Sequence, residues 1–244
     1  MKFNDEVKGT ITHLDEKGRG TFGCFTIPFT TPNDEIIATF VKRDKGMKIC
    51  RLKEITQPSP DRVIPPCPHA GTCAGCLWQH LAYDAPLRFK QETINRAFAS
   101  NGHDERVDGV MASPETFFYR NRMDYAVGWR GEIGLKEYGA WNRYLDLSTC
   151  LLLDEETPNI LTTVRSLMRD LPLAPWDAKS QTGLVRYVVI RLGKNTGERL
   201  VMLVVKDLSS IDAQQREEIT RRLAAHCSSL YLGENPEITD LSIA

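Results

Sequence analysis

The ten-residue stretch Cys67-Pro-His-Ala-Gly-Thr-Cys73-Ala-Gly-Cys76 limits what this chain can fold into more than any other. It holds three of the seven cysteines, spaced C-x5-C-x2-C. Pro68, Gly71 and Gly75 let the backbone bend there, so the three thiols can converge on one point. Convergent thiolates repel one another unless a cation sits between them, and the usual choices are zinc or an iron–sulfur cluster. Three ligands are one short of a closed site, and Cys150 is the candidate fourth. A disulfide with a spare thiol, or a set of buried inert thiols, is the plainer alternative.

Compartment bears on that choice. The N-terminus, Met-Lys-Phe-Asn-Asp-Glu, carries acids and lacks the apolar stretch of a signal peptide. The longest strongly apolar run, Leu200 to Val205, is too short to span a bilayer. A reducing cytoplasm is therefore expected, which favours a metal or cluster over disulfides. The 244 residues suffice for one large domain or two smaller ones. A net charge of −1 means that any nucleic-acid binding must come from a local patch.

Residues 1 to about 57 are predicted to be short strands separated by turns: Val7–His13, Thr21–Ile27, Glu35–Val41 and Met47–Ile55, with a turn at Asp15–Gly20. So many short strands in so short a span predict a small, OB-like barrel. Lys42, Arg43, Lys45, Lys48, Arg51 and Lys53 stand close together against one acid, Asp44. They read either as a lysine-protected edge strand or as a face that meets phosphates. Phe25, Phe29 and Phe40 either fill the barrel or offer stacking faces, and more of them are expected in the core. Pro58, Pro60, Pro65, Pro66 and Pro68 mark the boundary to the next unit.

A helix is predicted from about Pro86 to Ser100, with Asp84 near its N-cap and Gly102 past its end. Leu87, Ile94 and Phe98 fall on one of its faces. Arg122–Trp129 and Glu132–Tyr138 flank Arg130-Gly131 as a hairpin, and Tyr144–Ser148 is a short strand. Thr157-Pro158 opens a second helix, whose Ile160, Leu161, Val164, Leu167, Met168 and Leu171 form an apolar stripe expected in the core. Leu184–Leu192 and Arg199–Val205 flank a turn at Gly193–Glu198. A third helix, about Ala213 to His226, begins with Asp212 and Gln215 at capping-box spacing, and Leu230–Leu232 is a last strand. The class is α+β, with strands paired mainly as antiparallel hairpins and helices on one face. No dinucleotide loop, P-loop, H-E-x-x-H or nucleophile elbow occurs, and no complete catalytic set is visible. The sequence stops at Asp240–Ala244 in ordinary globular composition.

Longer strings are more specific than these pieces. They are Ser59-Pro-Asp-Arg62, Pro65-Pro-Cys-Pro-His69, Cys73-Ala-Gly-Cys-Leu-Trp-Gln-His-Leu81 and Lys90-Gln-Glu92, then Tyr119-Arg-Asn-Arg-Met123, Gly134-Leu135 leading to Cys150, and Arg191-Leu-Gly-Lys-Asn-Thr-Gly-Glu198. In this order, along nearly the whole chain, they resemble the S-adenosylmethionine-dependent RNA (uracil-5-)-methyltransferase family, which makes 5-methyluridine in ribosomal or transfer RNA. Ala74 departs from the glycine that the family commonly has between the second and third cysteines.

The resemblance implies a TRAM domain over 1–57, an OB-like barrel that helps hold RNA, and an iron–sulfur α+β domain over 58–244. It implies a [4Fe-4S] cluster on Cys67, Cys73, Cys76 and Cys150, structural and RNA-facing. Cys24, Cys50 and Cys227 are left as ordinary buried thiols. The family's catalytic half is a class I methyltransferase domain that binds S-adenosylmethionine. A cysteine thiolate there adds to C6 of a flipped uracil. No residue of this sequence is assigned to that chemistry. The chain is accordingly expected to be a truncated or split member, inactive alone, with a separate methyltransferase-domain chain as one expected partner. The segment 79–111 would pack on that missing domain, so Leu87, Ile94 and Phe98 are expected to be exposed or covered by a partner.

RNA contacts are expected from Lys42, Lys48 and Arg51 on the barrel and from Arg120, Arg122 and Lys136 beyond it. Arg120 and Arg122 have an alternative as ion pairs within the sheet. A second reading is a stand-alone RNA-binding module whose four cysteines hold zinc, which is colourless where a cluster is brown. A third, a radical or methylthio-transfer enzyme, needs C-x3-C-x2-C with one iron left open. The x5 spacing and the fourth cysteine argue against it. No membrane partner is expected.

Overall fold

The computed structural model describes residues 1–239 and 242. The chain end at Asp240–Ala244, read above as ordinary globular sequence, lies outside the described residues apart from Ser242. The chain divides into two compact units, Met1–Gly71 with Cys76–Pro114, and Thr72–Gly75 with Glu115–Ala244. The helical segment thus groups with the N-terminal strands.

The first unit carries β1 (Glu6–Thr10), β2 (His13–Leu14), β3 (Gly20–Phe22), β4 (Phe25–Ile27), β5 (Glu35–Asp44) and β6 (Met47–Gln57). They form one sheet in the order β1-β5-β6-β4-β3-β2. The two ends of that order are neighbours in sequence. β1 pairs with β5 and β2 with β3, and between them Ile11 N–H donates to the Asp34 carbonyl and Thr12 N–H to that of Thr21, both at 2.9 Å. The sheet therefore bends back on itself around Val7, Ile11, Ile27, Ile36, Ala38, Phe40 and Cys50. Thr21–Ile27, expected as one strand, is a hairpin instead. Gly23 takes φ +53°, and Phe22 stands opposite Phe25 with ring centroids 5.1 Å apart. The β5–β6 turn places Lys45 and Gly46 both at positive φ, the geometry of a two-residue hairpin loop.

Helix α1 (Asp84–Ser100) has no side-chain N-cap. Asp84, expected near that cap, is the first helical residue and pairs with Arg88 one turn on. Gly102 follows the helix at φ +76°, as its position past the end requires. Only Ala85 and Pro86 of α1 are buried, and Ile94 is 39% exposed. Of the apolar stripe, Ile94 is thus exposed, while Leu87 and Phe98 are half-buried.

The second unit holds β7 (Arg122–Val127), β8 (Ile133–Gly134), α2 (Thr157–Asp170), β9 (Val185–Leu192), β10 (Arg199–Val205), α3 (Ala213–Leu223) and β11 (Ser229–Glu234). Its sheet runs β11-β10-β9-β7-β8. Every pairing is antiparallel except β10 with β11, which α3 joins as a parallel crossover. The last strand is therefore not part of a hairpin. Tyr144–Ser148 is not a strand: one bridge, Lys136 to Tyr144, and two backbone bonds hold it to 133–136. Helix α2 buries Ile160, Leu161, Val164 and Leu167 and packs against α3. Asp212 and Gln215 make both bonds of the capping box.

Candidate nucleic-acid interface and cysteine site

Within the second unit, the segment 72–75 is stitched to the arm after β8. Ala74 N–H donates to the Lys136 carbonyl at 3.1 Å and Tyr138 N–H to that of Thr72 at 2.8 Å. A Cβ at Gly75 would meet the Leu135 Cδ1 methyl at 2.8 Å and the Cys73 sulfur at 3.5 Å, so a side chain there would require Leu135 to move. Gly75 N–H donates to the Cys73 sulfur at 3.4 Å. Cys73 and Cys150 are buried, and Cys150 pushes the buried Tyr125 phenol further up after burial itself. Cys67 and Cys76 lie in the first unit, half-buried. The donors are thiols, chemistry that suits zinc or iron, but no group of three or more Cys, His, Asp or Glu placed to hold a metal is found among the described residues. Of the remaining cysteines, only Cys50 is buried. Cys24, expected to be buried, is exposed in the β3–β4 turn, and Cys227 is half-buried.

The cations of the first unit gather along β5 and β6. Lys42 stands opposite Ile49, Arg43 opposite Lys48, and Arg51 opposite Thr39, so no acid faces them across the pairing. Arg43 and Lys48 directly opposed repel, and an anion on that face relieves the repulsion. Lys48 Nζ also lies 4.8 Å from the Phe25 ring centroid. Lys53 is engaged with Glu6, whose carboxyl it holds low.

In the second unit, Arg120, Arg122 and Lys136 line one cleft of about 710 Å³ with Gly75 and Ala74. Arg122 forks onto Asp124 at 2.8 and 2.6 Å, so the in-sheet ion pair expected as its alternative is present. Arg191 stands opposite Arg122 in the β7–β9 register. Burial raises the Asp124 carboxyl, but Arg122, Ser242 and Arg191 together outweigh it and hold the group low. Asp124 thus offsets Arg122, and Arg120 and Lys136 leave the lining with a positive excess.

Several residues of the long motif strings hold the scaffold. Lys194 Nζ donates to the carbonyls of Phe118 at 2.6 Å and Leu153 at 3.1 Å. Trp78 Nε1–H donates to the Gly18 carbonyl at 2.8 Å, where any side chain on Gly18 would strike the indole. Asp34, fully buried, accepts Arg62 Nε at 2.7 Å and the backbone N–H groups of Thr31 and Ser59. Sequence reasoning missed a second cleft in this unit, bordered by Trp129, Trp141 and Trp176. Its only sequence signal was the placement of Trp129 and Trp141 beside Arg130-Gly131 and Gly139.

No protein-family model matches the chain. It is similar to RNA methyltransferases over nearly all its length. An uncharacterized RNA methyltransferase of Nanoarchaeum equitans is 32% identical over 239 residues, covering 98% of this chain and 51% of the relative. A tRNA (uracil(54)-C(5))-methyltransferase of Pyrococcus horikoshii is 35% identical over 201 residues, 82% of this chain and 48% of the relative. A 23S rRNA (uracil(747)-C(5))-methyltransferase of the same organism is 34% identical over 199 residues, 82% and 46%. The crystal structure of Pyrococcus abyssi tRNA (uracil-54, C5)-methyltransferase in complex with S-adenosyl-L-homocysteine superposes with a TM-score of 0.79 at 28% identity, covering 97% of this chain and 53% of that one. The chain spans about half the length of the curated relatives it matches.

Proposed function

We propose that these residues form the RNA-holding portion of an S-adenosylmethionine-dependent RNA uracil-5-methyltransferase that acts on transfer or ribosomal RNA. The observation that carries this reading is the likeness, over 97% of the chain, to a transfer RNA (uracil-54, C5)-methyltransferase. Three placements support it: the bent six-stranded sheet of the first unit with Lys42, Lys48 and Arg51 on β5 and β6, the uncharged or cationic residues opposite those three in the β5–β6 register, and the cleft edged by Arg120, Arg122 and Lys136. In this reading 1–57 is the TRAM barrel, and α1 with the segment 79–111 presents its part-exposed stripe to further protein. No residue is assigned to methyl transfer.

The cofactor proposal has two parts. S-adenosylmethionine belongs to the activity of the whole protein. Cys67, Cys73, Cys76 and Cys150 are proposed as ligands of a [4Fe-4S] cluster, for which the sulfur-directed Gly75 N–H is the local support. Anaerobic purification with iron and sulfide is expected to give a brown protein. A colourless protein with one bound zinc would favour the zinc alternative.

The test of function is RNA binding by mobility shift, with methyl incorporation measured alongside. The 244-residue chain is expected to bind RNA, to bind it more weakly as Arg120→Ala/Lys136→Ala, and to leave it unmethylated. No binding would overturn the RNA reading, and methyl incorporation would overturn the assignment of methyl transfer to residues other than these.

A further inference from the structure

The second unit contains a cleft of about 550 Å³ that the proposed function leaves without a task. Trp129, Trp141, Tyr144 and Trp176 line it, together with Lys136 and Lys179. Trp141 is 77% and Trp129 51% exposed. Two indoles left largely in water are an unfavourable use of large apolar surface unless something covers them. Trp176 is buried, and its backbone N–H donates to the Val185 carbonyl at 2.9 Å. Trp141 stands two residues after Gly139, which turns the chain at φ +75°.

The polar character of the cleft narrows the occupant. Cations sit at the aromatic rings in and beside the cleft: of its lining, Lys136 lies 5.9 Å from the Tyr144 centroid and Arg186 5.3 Å from that of Trp176, while Arg130, just outside it, lies 4.5 Å from that of Trp129. The acid in the lining, Asp177, is turned into its own loop. It accepts Lys179 N–H at 2.9 Å and the Ser180 hydroxyl at 2.8 Å, bonds that hold its carboxyl low. Aromatic faces beside positive charge suit a flat π-system attached to anions. An apolar peptide would gain nothing from those cations. Lys136 also lines the neighbouring cleft of Arg120 and Arg122, so the two clefts adjoin along one strand path.

We infer that this cleft is a stacking subsite for an unpaired RNA base, which lies against Trp141 and Trp129 while Lys136 and Lys179 take the flanking phosphates. The inference rests on the RNA reading above. It adds that a single-stranded or bulged nucleotide, rather than duplex alone, is part of what the chain holds.

Tryptophan fluorescence titration of the 244-residue chain with a single-stranded RNA, and with the same RNA in a duplex, tests it. Trp141→Ala is expected to weaken single-strand binding roughly tenfold, the usual scale for one stacked base. Trp141→Phe retains most of the affinity, and the duplex is affected little by either. Thermal unfolding confirms that the variants are folded. If Trp141→Ala and Trp129→Ala bind as the native protein does, while Lys42→Ala/Lys48→Ala/Arg51→Ala binds weakly, the subsite is wrong and the RNA reading stands. Equal losses for single strand and duplex would also overturn the subsite. If the native chain binds no RNA, both fall together.

Discussion

Trp78 and His80 belong to the string that carried the family resemblance, yet both support the packing of the first unit. His80 is 6% exposed, and its Nε2 has no hydrogen-bond partner. Burial, and then the nearby Arg62 cation, push its imidazole down to about 4 from an ordinary 6.5. Between those values the unfolded chain binds a proton that the folded one does not. The stability that His80 contributes is thus fully present above about pH 6.5 and is lost as the pH falls through about 4. Urea unfolding is expected to show a smaller drop in stability from pH 7 to pH 4 for His80→Gln than for the native chain, by on the order of 1–3 kcal/mol. Identical pH profiles would contradict the neutral, buried histidine. The cysteines give a second residue-level outcome. Cys24 is exposed, while burial raises the Cys50 thiol to about 11. Iodoacetamide at neutral pH is expected to label Cys24 and spare Cys50, as read by peptide mass spectrometry. The buried state of Cys50 was legible from its place in a strand. The exposure of Cys24 was not, because it depends on Gly23 turning the chain at that point.

Helices α1 and α2 look alike in sequence, each with an apolar stripe, but only α2 covers its stripe within the chain. Periodicity reveals which face is apolar and says nothing of what lies against it. Leu161→Ala in α2 is expected to lower unfolding free energy by about 2–5 kcal/mol, whereas Ile94→Ala in α1 changes it by about 1 kcal/mol or less. Chemical denaturation separates these values, and comparable losses would mean that α1 is packed after all. Asp212→Ala, which removes the capping box of α3, is expected to cost about 1 kcal/mol. Local signals of this kind were read correctly: the box, the β9–β10 hairpin, the amphipathic α2. The parallel pairing of β11 with β10 was not, since a three-residue apolar run, Leu230–Leu232, does not show on which side of β10 or in which direction it pairs after the α3 crossover. Nor was Tyr144–Ser148, whose alternating pattern meets too few partners to form a strand.

The whole chain has a net charge of −1, so the proposed RNA affinity must come from where its cations stand. On β5 and β6 Arg43 and Lys48 stand directly opposite each other, and at the Arg120 cleft Asp124 is forked by Arg122 and held low by Arg191 as well. The sequence showed the first cluster as a run of letters. It could not show the second, because Arg122 and Arg191 meet only through the β7–β9 register. Cys67, Cys73 and Cys76 were legible as a thiol cluster from their spacing, while Cys150 and the choice between zinc and a cluster were not. The most direct measurement is the salt dependence of RNA binding by the 244-residue chain. Log affinity is expected to fall steeply with log salt, and Lys42→Ala/Lys48→Ala/Arg51→Ala to reduce that slope by about 2, the scale for three lost phosphate contacts on a single strand. A slope near zero, or one that the triple substitution leaves unchanged, would contradict an RNA-holding role for these strands.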